Sequence, residues 1–284
     1  MSASAEQVYF VPQPSKWPLV GSMALFFLGL GAALAVNGAR GGGLCLGIGG
    51  LILLFMLFGW FGDVIFESER GQYGQNVDRS FRWSMGWFIF SEVMFFAAFF
   101  GALFYVRYHV QPDLGSDMQK LLWPNFSPAW PSSVAPGGVP EYKTIGPWGL
   151  PAINTLILLT SGATITWAHW GLLKNNRTQL IMGLAWTVGL GMAFLFLQAH
   201  EYHEGFEKLN LTLASGVYGS TFYMLTGFHG LHVTLGTIML IVILLRSMAG
   251  HFRPDHHFAF EAVAWYWHFV DVVWLMLFVL VYWL

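Results

Sequence analysis

Charge is what this chain has least of. Only 10% of its 284 residues are charged, 13 Lys and Arg against 15 Asp and Glu, where a soluble domain carries roughly 25%. So small a supply cannot coat a surface that faces water, which excludes a soluble globular enzyme. Cysteine is scarcer still. Cys45 stands alone, which excludes an internal disulfide, a CxxC metal or redox site and a CxxCH haem attachment. A GxxxxGK[ST] phosphate loop is also missing. The net charge of −2 leaves no polybasic footprint for nucleic acid. The opening stretch MSASAEQVYFVPQPSKWP lacks the basic start and short apolar core of a cleaved signal and the Arg-rich pattern of a transit peptide, so neither is expected. The abundance lies elsewhere. Hydrophobic residues make up 56%, aromatics 18%, and the mean hydropathy is +0.56. The main solvent of such a chain is lipid.

A hydrocarbon layer of about 30 Å takes about 20 helical residues to cross. Seven stretches are long enough: Pro18–Asn37, Leu44–Phe66, Trp83–Val106, Leu150–Leu173, Leu180–Ala199, Val217–Leu245 and Phe258–Leu284. Unbroken apolarity predicts helices, because every backbone group must be satisfied within the segment. The alternating ten-residue strands of a membrane barrel are absent from the sequence. The expected fold is therefore an all-α integral membrane protein. The expected organisation is an N-terminal segment 1–17, spans one and two within 18–66, a polar connection 67–82, and spans three to seven within 83–284. The connection 67–82 is a candidate hinge.

Lys and Arg in the connections set the orientation. One side holds Lys16, Arg70, Arg79, Arg82, Lys174, Arg177, Arg246 and Arg253. The other holds Arg40, Arg107, Lys120, Lys143 and Lys208, three of them in or at the edge of the one long loop, 108–149. The N-terminus is expected on the cytoplasmic (or matrix) side and the C-terminus opposite. Loop 108–149 is rich in Pro and Trp and reads as an irregular interfacial cap.

Ionisable groups inside a span are costly and are functional candidates by default. Glu92 lies ten residues beyond Arg82, about 15 Å along a helix. It is expected to face protein, protonated or paired, either as a packing group or in a proton-linked role. His229 and His232 share one face of the sixth span. His232, fourteen residues before Arg246, is about 21 Å from that end, a depth compatible with Glu92. A Glu92–His232 hydrogen bond is expected, and structural histidines are favoured over a haem or metal site. The run QAHEYHEGF, holding His200, Glu201, His203 and Glu204, fits neither HExxH zinc spacing nor a di-iron Glu-x-x-His pattern. It reads as a polar interface cap. Glu261, His268 and Asp271 in the last span, with Glu201, are candidates for a structural polar network. Thr160, Ser161, Thr164, Thr166 and His169 form a polar stripe along the fourth span. Gly216, Gly219, Gly227 and Gly230 suggest close packing of the sixth. No spacing suggests a nucleophile set, a carboxylate pair or a closed metal cage.

Several segments resemble one family closely. FAFEAVAWYWHFVDVVWL (Phe258 to Leu275), SGVYGSTFYMLTGFHGLHV (Ser215 to Val233), LLTSGATITWAHW, LQAHEYHE and FSEVMFF (Phe90 to Phe96) are similar to subunit III of the haem–copper aa3-type cytochrome c oxidases. The resemblance implies an accessory subunit of the aerobic respiratory chain that holds no haem or copper of its own, these being in partner subunits. It implies direct contact with subunit I, contact with subunit II and cytochrome c through the complex, and a share in stabilising the oxygen-reducing centre and its proton uptake. It implies a two-helix and a five-helix bundle with phospholipid in a V-shaped cleft. The family's carbodiimide-reactive carboxyl maps to Glu92 and its histidine partner to His232. Its lipid-facing positions map to Trp60, Phe61, Asp63, Glu67, His229 and Arg246. Gly62 and Phe66 stand where relatives often carry arginines near the lipid phosphate, which implies a differently held headgroup. The long loop 108–149 suggests a bacterial chain and hence a bacterial inner membrane. Three rival classes stay open at this point: the matching subunit of a quinol oxidase, a b-type cytochrome, and a transporter, although no inverted repeat is found.

Overall fold

The computed structural model describes residues 14–131 and 141–284. Among them, seven helices are long and apolar enough to cross a membrane. They are α1 (Trp17–Val36), α2 (Gly42–Glu69), α3 (Gln75–Tyr105), α4 (Leu150–Leu173), α5 (Arg177–Lys208), α6 (Gly216–Ala249) and α7 (Phe258–Leu277). The fourth span begins and ends where its apolar run does. Others overrun theirs. The 32 residues of α5 and 34 of α6 measure about 48 and 51 Å, well beyond a hydrocarbon layer of about 30 Å. The polar connection expected over 67–82 is mostly helical: α2 continues to Glu69 and α3 starts at Gln75. The chain divides into two compact units, Met1–Phe81 and Arg82–Leu284, and the division falls inside α3.

In the first unit, α1 and α2 form a helical hairpin. Its turn needs left-handed backbone at Gly38 and Gly41, with φ of +65° and +91°, which glycine adopts without steric cost. The two helices lie almost backbone to backbone. A β-carbon on Gly31 would meet the Leu46 nitrogen at 2.6 Å, and one on Gly49 the Leu28 nitrogen at 2.7 Å. Between lipid-immersed helices such close approach supplies van der Waals contact that hydrophobicity does not. Gly59 makes room for the Trp17 ring, whose Nε1 donates to Asp63 Oδ2 at 2.7 Å. Just past α2, the Tyr73 hydroxyl donates to Glu67 Oε2 at 2.6 Å, and the Arg70 guanidinium lies 3.8 Å from the Phe66 ring centre. Burial, then the hydrogen bond and charge of Glu67, hold the Tyr73 phenol well above its ordinary pKa.

In the second unit, the core centres on α7. Trp267 is fully buried. Its ring lies against Gly191 of α5 and Gly236 of α6, where added β-carbons would come within 2.9 Å of ring atoms. Its Nε1 donates to Ser161 Oγ of α4 at 2.8 Å. One indole thus touches three helices and has its N–H satisfied. One turn and more further on, Trp274 donates to Thr155 Oγ1 at 2.9 Å and stacks edge-on against Phe194. The polar stripe on α4 is used the same way: Thr164 pairs with Thr187 at 2.8 Å, and Thr166 meets His268 Nε2 at 3.4 Å.

The glycines expected to pack α6 mostly do other things. Gly216 begins the helix at φ +69°, Gly219 sits against the Thr212 carbonyl, and Gly230 faces open space. Close packing falls to Gly236, which no spacing rule singled out. Loop 108–149 starts as helix, with a π turn at Val106–Val110 and a turn at Gln111–Leu114. Its described remainder docks on the start of α6 and the segment before it. Tyr142 stacks on Tyr218, Trp130 meets the same ring, and Lys143 N–H donates to the Leu209 carbonyl at 2.9 Å. Pro136 and Pro140 lie outside the described residues.

Candidate functional site

Glu92 on α3 and His232 on α6 are 140 residues apart in sequence and in contact in space. Glu92 Oε2 lies 2.8 Å from His232 Nε2. The other ring nitrogen, Nδ1, lies 2.6 Å from the Phe228 carbonyl. A carbonyl can only accept, so Nδ1 carries a proton. If the ring is neutral, Nε2 then offers a lone pair, and a contact of 2.8 Å to Glu92 requires a proton between the two. The pair therefore holds one proton in addition to that on Nδ1. It is either a neutral acid donating to a neutral imidazole or a carboxylate paired with an imidazolium, and its net charge is zero in both forms.

The surroundings of the pair are apolar. The side chains of Glu92 and His232 are 20% and 11% exposed. The rings of Phe95 and Phe96 flank the imidazole, with centroids at 5.9 and 5.0 Å, and Tyr266 lies parallel to it at 6.4 Å. In so apolar a shell an unpaired charge is costly. His229, one turn before, is buried at 1% exposure, with Nε2 3.2 Å from the Val270 carbonyl and its ring against Phe194 and Trp274. It is a core histidine and presents no surface to lipid, unlike its expected place in a lipid-facing set.

The other members of that set also have protein partners. Asp63 accepts from Trp17 and Glu67 from Tyr73. The Arg246 guanidinium lies 4.7 Å from the Phe252 ring centre. Trp60 and Phe61 differ from these: they are 48% and 57% exposed and stack on one another.

The expected polar network resolves into separate groups. Glu201 is buried at 2% exposure rather than lying in an interface cap, accepting from the Tyr282 hydroxyl at 2.7 Å and from Gln198 at 3.3 Å. His200 and His203 beside it are exposed. His268 and Asp271 approach to 3.9 Å, and Asp271 Oδ2 fills the space where a side chain on Gly162 would be. Glu261 belongs with neither. It pairs with Arg82 and with His257, and has His169 nearby. Arg82, His169 and His257 were missed as partners of Glu261 because they lie on three different segments. The spacing of His257 and Glu261 at i,i+4 was the one signal available.

The fold and the pair define a class: a multi-pass, all-α membrane protein that keeps an acid–imidazole couple inside its bundle. The family profile "Cytochrome c oxidase subunit III" matches residues 7–284. A relative from Marchantia polymorpha, named cytochrome c oxidase subunit 3, is 43% identical over 286 residues, covering 100% of this chain and 98% of its own. Relatives of the same name from Prototheca wickerhamii and Oncorhynchus mykiss are 43% and 41% identical, covering 96% and 99% of this chain and 96% and 98% of theirs. The chain belongs to the cytochrome c oxidase subunit III family. It is thus a component of an oxidoreductase complex of the respiratory chain and a partner of other oxidase subunits. Because the match runs nearly the full length of these relatives, the length of loop 108–149 gives no ground for assigning a bacterial source.

Proposed function

We propose that this chain serves as the non-redox accessory subunit of a terminal cytochrome c oxidase. It packs directly on the oxygen-reducing subunit I, steadies that centre during turnover and supports its proton uptake. Subunit II and cytochrome c are reached through the complex, whose haem and copper belong to partner subunits. The N-terminus faces the side from which protons are drawn, as the Lys and Arg distribution indicates. The single observation that carries the proton-linked part is the Glu92–His232 contact at 2.8 Å, a net-neutral couple with one transferable proton inside an apolar shell. Wide apolar outer faces, such as Phe196 at 74% and Trp186 at 60% exposure, supply surface for lipid or for a neighbouring subunit. Structural phospholipid is proposed on the same basis, with Trp60 and Phe61 as exposed aromatic anchors and Arg246 near a headgroup.

Glu92→Gln tests this reading, because the amide retains a donor for Nε2 but cannot ionise. The variant complex is expected to assemble normally, while turnover-linked proton uptake or durability under turnover falls modestly. Unchanged uptake and durability would reduce Glu92 to a packing group. Full assembly with nearly all oxidase activity gone would make it an obligatory proton carrier and overturn the accessory role.

A further inference from the structure

Three ligand-type side chains converge where α4 ends and α7 begins, at the end of the unit that carries Arg82. One ligand atom each from His169, His257 and Glu261 lies within 4.8 Å of the others. Glu261 Oε1 is the common point, 3.2 Å from His257 Nε2 and 3.7 Å from His169 Nε2.

The hydrogen bonds around them say what is needed at the centre. His257 Nδ1 lies 3.0 Å from the Arg253 carbonyl and must donate to it. The Nε2 of a neutral His257 therefore presents a lone pair to a carboxylate oxygen at contact distance. Two acceptors so placed call for a positive species between them. A proton on His257 would serve that one contact. It would leave His169 Nε2, which is buried and has no hydrogen-bond partner, still unsatisfied. A metal ion serves all three donors at once.

The geometry suits such an ion. Tetrahedral zinc with bonds of about 2.0–2.1 Å keeps its ligand atoms about 3.3 Å apart. The two distances to Oε1 are close to that, and all three ligand atoms lie within 4.8 Å of one another. Arg82 binds Glu261 Oε2, which turns Oε1 toward the imidazoles. The His257 Nδ1–H to carbonyl bond is the kind of outer contact that fixes the tautomer of a metal-binding histidine. Two imidazoles and one carboxylate form a donor set of zinc type, with a fourth position left for water.

We propose that His169, His257 and Glu261 form a binding site for one divalent cation of the zinc class, which ties the end of α4 to the start of α7. The proposal does not depend on the role assigned to Glu92. The test uses the oxidase complex carrying this chain, equilibrated with micromolar free Zn²⁺, desalted and analysed for zinc per complex. Wild type should retain one zinc more than His169→Ala and one more than His257→Gln. His169→Ala leaves the Arg82–Glu261 and His257–Arg253 contacts in place, so it removes a ligand and not the local fold. Independently of any variant, anomalous scattering at the zinc edge should give a peak among the three side chains in zinc-equilibrated wild-type crystals. Equal zinc in wild type and both variants, or a wild-type map without that peak, would overturn the proposal.

Discussion

Replacing Glu92 by Ala and by Gln should separate two effects that a single substitution merges. His232 Nδ1 is committed to the Phe228 carbonyl, so Nε2 needs a donor, and Glu92 is the group 2.8 Å away. Ala removes the donor and leaves a largely buried acceptor unpaired, a loss of about 1–3 kcal/mol in the general case. Polar contacts inside membranes measure less, about 0.6 kcal/mol on average and up to about 1.7, because the unfolded chain in lipid also finds partners. An expected cost of about 1–2 kcal/mol for Glu92→Ala follows, roughly a tenfold change in the folded ratio. Gln supplies an N–H of similar reach and should cost under about 0.5 kcal/mol. The assay is equilibrium unfolding of the full chain in mixed micelles titrated with a denaturing detergent, followed by circular dichroism. A cycle with His232→Ala closes the reasoning: once the imidazole is gone, Glu92→Ala should lose most of its penalty. Equal costs for Ala and Gln, or additive single and double variants, would refute the proton count assigned to this pair.

Gly236→Ala should destabilise the chain by about 1–3 kcal/mol by overpacking, since the new β-carbon would press on Trp267 at 2.9 Å; a shift of the unfolding midpoint measures it. The Tyr73 phenol, raised first by burial and then by Glu67, favours folding in its neutral form. That contribution is complete below the ordinary tyrosine pKa of about 10 and is lost as pH rises through the elevated value. Labelled-tyrosine NMR should show Tyr73 ionising later than a free phenol, with Glu67→Gln bringing its midpoint part of the way back. A purified sample of the chain alone should show no Soret band and no bound copper; either one would remove it from the accessory class.

Much of this fold could be read from the sequence because lipid imposes one rule on every residue of a span. Leu150–Leu173 ended where apolarity ended, since polar residues and a turn at Lys174 and Asn175 follow at once. The end of α5 could not be read that way. QAHEYHEGFEK looks like a surface segment, yet it stays helical, and Glu201 is drawn inward because Tyr282, 81 residues later, supplies a donor. Glu92 and His232 could be matched from depth alone, being polar groups at comparable distance from the same side of the membrane. The His169–His257–Glu261 cluster had no such clue. Its members lie near helix ends, where polar residues are ordinary, and only the packing of α4 against α7 shows that they converge. Trp267 was equally silent, because a tryptophan in a membrane helix ordinarily suggests the interface belt, and here it is the centre of the core.

The neutrality of the Glu92–His232 couple makes it almost blind to voltage. One elementary charge crossing the full bilayer at 100 mV gains about 2.3 kcal/mol. A proton passing between Oε2 and Nε2 travels less than their 2.8 Å separation, under about a tenth of a 30 Å layer. Even if the bond pointed straight along the field, the bias would be about 0.2 kcal/mol, below thermal energy of about 0.6 kcal/mol. An energised membrane therefore leaves the couple in the same state as a collapsed one. Whatever sets the position of that proton must act at short range, through the Phe95, Phe96 and Tyr266 rings and the Phe228 carbonyl that enclose it.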